Sequence, residues 1–478
     1  MKKLLLLCVV LTTFMSCFED MDDNAISSTD VKDFVWKGMN AYYLYNGPDQ
    51  SPNLTNDRFG INGIQNRYEK PEEYSEFLDG FDTPEALFNA LTFDDLDEFS
   101  VIVPNYFDVL NAQQGTILSN GLEFRLYFVP GSTTEVFGAI TLVLNNSVAD
   151  NLGLTRGQLF RAVDGVNLTN NNFNELLSQN TYTLNFADYG TNGTSEVDDD
   201  TVTLNGNSTS LTKENYTENP VHIVETLSFD GINVGYLMYN GFVRNFDNQL
   251  NDAFGQLQAN GVQELILDLR YNGGGSIQTA AYLASMITGQ FNGEVFSKLF
   301  FNNNQESSNR DYEFTSGIIN GPAINSLNLN KVYVLTSDRS ASASELIINS
   351  LSSYIDVIHI GDFTAGKTQA NRLFFDSANF EGNDVNVGHT YGIIPLIANS
   401  TNVNDELVPT NGLEPDITLT EMPGNLGTLG TSSDPLLAAA IVEITDSDRT
   451  SLNPNLRGIE ELDSSRLRSF IDGLMFED

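Results

Sequence analysis

Residues 262–275 read VQELILDLRYNGGG. The first eight of these, 262–269, have the length and the apolar, β-branched character of a buried strand. They run straight into Asn272-Gly273-Gly274-Gly275, where the missing side chains let the backbone turn sharply and approach another group closely. A helical pattern then covers 276–288. Ile277, Ala280, Ala281, Ala284 and Ile287 share one face, and Gly289 supplies a stop. The same rhythm returns downstream as a strand at 331–336, a helix from about 342 to 354 and a strand at 357–360. Residues 220–450 are therefore expected to form a mixed α/β domain, a sheet covered by helices. The glycine run is no nucleotide fingerprint, because both the G-x-G-x-x-G spacing and the P-loop Lys-Ser/Thr are absent.

Working outward, residues 113–190 break into short alternating strands such as EFRLYFV and FGAITLVL. The stretch 191–219 is polar and reads as a loop or hairpin insertion. Its Asp198, Asp199 and Asp200 lack the alternating ligands and turn glycine of a calcium loop, so no metal site is assigned. Residues 31–112 read as helical and aromatic, with Thr83 capping a helix that opens on Pro84. Residues 451–478 form a polar, acidic tail with at most one short helix. At the other end, MKKLLLLCVVLTTFMSC (1–17) has a basic start and an apolar run too short to span a bilayer. It resembles a bacterial lipoprotein signal that leaves Cys17 as the acylated residue, followed by an acidic linker over 18–30. The expected location is the cell envelope, as an outer-membrane lipoprotein on either face, with the lipid as the membrane contact.

The 64 acidic and 23 basic residues give a formal charge of −41. Such a field repels phosphate backbones and argues against nucleic-acid partners. Only three histidines exist, His222, His359 and His389. None sits beside a G-x-S-x-G elbow, and His359 alternates with apolar residues as a core histidine does.

Two further pieces carry chemistry. Ser340-Ala341-Ser342-Ala343-Ser344-Glu345 lies between a strand and a helix. Ser342-x-x-Glu345 fits a capping box, which alone explains it. The same position suits a nucleophile, because free amides and the positive end of the helix lie beside it. Gly366-Lys367 follows another strand and the small or apolar run Phe363-Thr364-Ala365. A lysine buried there loses its charge readily and can act as a base, whereas a surface lysine needs no such account.

Taken together these pieces resemble the C-terminal processing peptidases, also called tail-specific proteases, which are serine/lysine peptidases with a PDZ domain. The family's S-A-S-A-S-E stands unbroken at 340–345, placing its nucleophile on Ser342. Its T-x-G-K stands at Thr364 to Lys367, 25 residues on. Its D-L-R-x-N-x-G-G falls on Asp268 to Gly275, with Gly273 in place of proline. Gly412 to Ile417 and Asp434 to Leu437 resemble its G-x-x-P-D-I and D-P-x-L. More weakly, Gly121-Leu122-Glu123-Phe124 resembles a PDZ carboxylate-binding loop, and 147–165 follows the rest of that domain.

The resemblance implies a crotonase-like ββα peptidase core over 220–450 and a PDZ-like module over 113–190. It implies peptide hydrolysis with Ser342 as nucleophile, Lys367 as base, and the amides of Ala343 and of Gly273 or Gly274 holding the oxyanion. Peptide capture falls to Gly121–Phe124, the partner being a protein or peptide with a free C-terminus. No metal or cofactor is implied. One departure matters: the family's glutamine four residues after the lysine is Asn371 here, with Gln369 two residues after it. Either amide is a candidate to orient Lys367. Loss of the third member is also how an inactive, peptide-binding surface lipoprotein of the same fold would begin.

Overall fold

The computed structural model describes residues 28–194, 196–446, 459–465 and 473–477. The signal, Cys17 and most of the acidic linker lie outside these residues. The chain opens with α1 (Ser28–Tyr42), whose residues 31–41 are all buried. A helix buried on every side must satisfy its own charges. Lys37 accordingly pairs with Asp33 one turn earlier at 2.9 Å and donates to the carbonyls of Arg67 and Glu69.

A β module follows: β1 (Leu122–Phe128), β2 (Val136–Val143), β3 (Leu159–Val163), α2 (Phe173–Ser178), β4 (Thr181–Gly190) and β5 (Thr201–Thr212). Leu126, Ile140, Phe160 and Leu184 fill its core. The polar stretch 191–219 supplies β5, which pairs antiparallel with β4 over its whole length, so the sheet runs on past residue 190.

The elements that build the two further large sheets and their helices, with the strand that joins the module's sheet, are β6 (Val221–Phe229), β7 (Ile232–Tyr239), α3 (Asp247–Ala259), β8 (Glu264–Asp268), β9 (Gly275–Ser276), α4 (Ile277–Thr288), β10 (Val295–Phe301), β11 (Arg310–Glu313), β12 (Lys331–Thr336), α5 (Ala343–Leu351), β13 (Asp356–Gly361), β14 (Gln369–Asn371), β15 (Leu396–Thr401), β16 (Ile417–Thr418), α6 (Pro435–Thr445), β17 (Glu461–Ser464) and β18 (Met475–Phe476). One sheet has the order β6-β7-β8-β12-β13-β16, parallel from β7 onward. Its residues alternate between two cores, as a strand covered on both faces requires. Leu265 and Leu267 pack with α3, α4 and α5, while Ile266 faces Leu436 and Leu437 of α6. The second sheet has the order β9-β18-β14-β15-β10-β11, and the module's sheet is β17-β1-β2-β3-β4-β5.

The C-terminal segment corrects the expectation of an acidic tail with at most a short helix. Its described parts are strands, one added to each of two sheets. An apolar run, Leu474-Met475-Phe476, gives it something to bury, and all three residues are buried.

The two domains meet at buried charges. Arg270, wholly buried, contacts Asp268, Glu421 and Asp434 at 2.7 to 2.8 Å. Arg156 of the module binds the same Glu421 and the carbonyls of Thr141 and Leu426. The two guanidiniums hold the Glu421 carboxyl far below its ordinary value despite burial. Removing one member leaves others charged and unpaired. Arg270→Met, which leaves Asp268 and Asp434 without their guanidinium and Glu421 with Arg156 as its remaining cation, is expected to destabilise the α/β domain by about 3–5 kcal/mol. A urea midpoint unchanged from wild type would show that the network carries no such weight.

Candidate active site

β12 ends at Thr336, and the chain crosses to α5 through 337–342 beside the carbonyls that follow β8. Ser340 Oγ donates to Leu269 O at 2.8 Å, and Ser344 Oγ donates to Asn272 O at 2.8 Å. These two hydroxyls stitch the turn to the glycine loop. Ser342 differs: its backbone has φ +64° and ψ −117°. That conformation costs a non-glycine residue roughly 1–3 kcal/mol and persists only where the surroundings dictate it. Its Oγ donates to Gly473 O at 3.0 Å. Gly274 lies against it with φ +112°, and a Cβ there would stand 2.5 Å from Ser342 Cβ. Only glycine lets the loop come so near. The Gly274 amide donates to Asn272 Oδ1 at 2.9 Å.

Glu345 joins the pieces. Its buried carboxylate accepts from Ser342 N (2.7 Å), Thr364 Oγ1 (2.6 Å), Gly366 N (2.6 Å) and Lys367 N (2.9 Å). Burial pushes its pKa up, and those donors pull it back. The sequence shows the capping half of this arrangement. The other half, reaching the Thr364–Lys367 loop, has no signal in local spacing.

Lys367 is completely buried. Desolvation drives its pKa well below the ordinary lysine value, against the pull of Asp97 and Glu345. Its Nζ donates to Asn371 Oδ1 at 2.5 Å and sits 4.9 Å from the centre of the Phe99 ring. Asn371 Nδ2 donates to Phe99 O and Ile394 O, which fixes the amide's orientation. Asn371 is thus the amide on the lysine. Gln369 stands two residues earlier on β14, with its side chain toward the Tyr45 hydroxyl. The apolar wall is Phe99, from the N-terminal region, whereas Phe363 is exposed. Among the described residues Ser342 Oγ and Lys367 Nζ are not hydrogen-bonded to each other; the serine hydroxyl is turned to Gly473.

No histidine competes for the serine. His359 bonds to Thr336 Oγ1 and Glu414 O inside the core, and burial lowers its pKa to about 4. His389 bonds to Asp376. His222 is likewise held neutral by burial, with a pKa of about 4.

The module reaches the same turn. Arg339, three residues before Ser342, binds Glu123 at 3.0 Å and Phe124 O at 2.9 Å, and Arg125 pairs with Asp338. Gly121–Phe124, expected as a loop, are the turn glycine and the first three residues of β1. The amides of Gly121 and Leu122 donate to Ser119 Oγ and Asn120 Oδ1, and that of Phe124 to Ser465 Oγ. A cavity of about 500 Å³ joins this strand start to Gly273, Gly274, Ser276 and Gly473.

The Peptidase family S41 model matches residues 233–418, and the model of the family's N-terminal domain matches residues 30–101. This chain belongs to peptidase family S41, a family of serine-type peptidases that includes the C-terminal processing peptidases. The S41 chain resembles an S41 protease structure from Bacteroides fragilis, with a TM-score of 0.66 and 26% identity over 86% of this chain and 97% of that one. It is 23% identical to a carboxyl-terminal-processing protease of Picosynechococcus over 77% of this chain and 80% of that one. It is 30% identical over 148 residues to a CtpA-like serine protease of Staphylococcus epidermidis, a match that spans 30% of this chain and only 28% of that one. The N-terminal match accounts for a part of the site the sequence reading missed, since Asp97 and Phe99 lie within it and face Lys367.

If burial is what lowers the Lys367 pKa, the unfolded chain binds a proton that the folded S41 chain does not. Stability then rises with pH between the depressed folded value and 10.5, and the penalty is complete below the folded value. Lys367→Met is expected to gain thermal stability over wild type near neutral pH, and the gain should shrink as pH approaches 10.5. Thermal midpoints across a pH series measure it; a gap that does not change with pH would exclude a neutral buried lysine.

Proposed function

We propose that this S41 chain is a serine endopeptidase of the C-terminal processing type, with Ser342 as nucleophile and Lys367 as general base. The observation that carries this reading is Glu345, one carboxylate oxygen of which accepts from the backbones of both residues. Burial drives the Lys367 pKa well below the ordinary lysine value, which favours the neutral form with its lone pair, and Asn371 holds its Nζ in place. With substrate bound, Ser342 Oγ loses its proton to Lys367 Nζ and attacks the peptide carbonyl. The carbonyl oxygen becomes an oxyanion held by amide donors at the start of α5 and in the glycine loop. Since the Gly274 amide is engaged by Asn272, Ala343 and Gly273 are the donors assigned to it. Lys367 then protonates the leaving amine, and a water molecule, deprotonated by Lys367, releases the acyl group.

The module is assigned to substrate capture, by addition of an extended peptide to the edge of β1. The filled amides of Gly121 and Leu122 favour capture along the strand over capture of a terminal carboxylate. We place the chain in the cell envelope through lipidation at Cys17, on the strength of the signal-like start alone.

Three serine variants test the assignment with a quenched fluorescent peptide. Ser342→Ala should lose cleavage and remain folded. Ser340→Ala and Ser344→Ala should each lose about 1 kcal/mol of stability with their hydrogen bond and keep activity. Full activity in Ser342→Ala would overturn the reading.

A further inference from the structure

β9 and β14 lie on either side of a gap in the second sheet, and the strand that fills it comes from the chain's own C-terminal segment. β18 pairs parallel with both: Gly275 with Met475, Ser276 with Phe476, and Asn371 with Phe476. Glu477 N adds a bond to Asn371 O at 3.0 Å. These are the two elements that flank the site, one carrying the glycine loop and the other the amide on Lys367. The segment also crosses the serine itself, because Gly473 O accepts the Ser342 hydroxyl.

The same segment lies on the module. β17 pairs antiparallel with β1, with Asp463 opposite Leu126 and Ser464 opposite Arg125. This is the edge to which an extended peptide would add. Residues 461–464 thus occupy the capture edge, and residues 473–477 the cleft.

The fit is specific in chemistry. Leu474, Met475 and Phe476 are buried, and the side chain of Glu477 is 1% exposed. Its carboxylate faces Arg310 at 2.5 Å and Arg372 at 3.6 Å, on β11 and just past β14. The groove therefore takes a small residue at the serine, then three apolar residues, then an acid between two guanidiniums.

We infer that residues 473–477 are an intramolecular inhibitor that holds the peptide groove of this chain closed. The blocked state follows from the hydrogen bond. The Ser342 proton is given to the carbonyl oxygen of Gly473 and not to Lys367. That oxygen sits at the hydroxyl instead of among the assigned oxyanion donors, so the segment occupies the groove without being poised for attack. A tethered occupant acts at an effective concentration of roughly millimolar, which free substrate must outcompete. The inference rests on the peptidase reading for what is inhibited, and on the groove alone for what is bound.

The test compares the full chain, a chain ending at Asp472, and full-length Glu477→Arg, which places a third cation between Arg310 and Arg372. Two readouts are taken: anisotropy of a labelled Gly-Leu-Met-Phe-Glu-Asp peptide, and cleavage of a reporter peptide. The shortened chain should bind the labelled peptide saturably while the full chain does not. It should cleave the reporter at least about tenfold faster, as expected if the open groove is a minor state of the full chain. The free peptide should reverse that gain, and Glu477→Arg should fall between the two chains. Peptide binding by a shortened chain that cleaves nothing would sink the peptidase reading and leave the groove assignment standing. A folded shortened chain that cleaves no faster and does not bind the peptide makes residues 473–477 a plain structural strand. If shortening unfolds the chain, Glu477→Arg decides: wild-type cleavage and no peptide binding in that folded variant overturn the inference.

Discussion

The site depends on one buried carboxylate. Glu345 is out of water, so its charge is tolerable only with donors on both oxygens, and it has four. Those donors come from two loops that share no strand pairing at that point, the start of α5 and the turn before β14. Satisfying Glu345 forces the loops together. Ser342 is then held in its left-handed backbone conformation, and Lys367 is drawn into a pocket where its charge is unfavourable. Backbone strain at one residue and desolvation at the other are both tolerated because the carboxylate bonds to each.

Much of the fold was legible because periodicity is a local property. The strand at 264–268, the glycine turn and α4 follow from their own residues, and α4 stops at Gly289, whose φ is +70°. The polar composition after residue 450 was misleading for the same reason. Leu474-Met475-Phe476 is too short a run to announce a strand, and its pairing partners lie about a hundred and two hundred residues earlier. The site was half legible. Ser342 and Lys367 stand in recognisable runs, but the spacing cannot choose between Asn371 and Gln369, because residues two apart on a regular strand share a face. The register shift between Ala370 and Asn371 breaks that regularity, and it is Asn371 that meets the lysine. Phe99, the lysine's aromatic wall, comes from a region whose own pattern is only helical and aromatic.

Two sets of ion pairs among the described residues fasten the module to the peptidase domain, by different means. Arg156 enters a closed network with Glu421, where burial makes the pairing strong and the geometry unforgiving. Arg125 instead grips Asp338 in the turn just ahead of Ser342, and Arg339 of that turn reaches back to Glu123. The first contact fixes where the module sits. The second ties its β1 edge to the backbone that presents the nucleophile, so displacement of that edge is felt within a few residues of the serine.

The strand that completes the second sheet has one more consequence. Its bonds to Gly275, Ser276 and Asn371 are main-chain bonds, and an identical chain offers identical groups. A neighbouring molecule's segment could fill the groove with the same contacts, leaving each copy's own segment to be received in return. Contact energy does not separate the self-filled molecule from the exchanged pair; tethering and protein concentration do. Concentrated preparations are therefore where domain-swapped dimers would form, held by the same strand that closes the single chain.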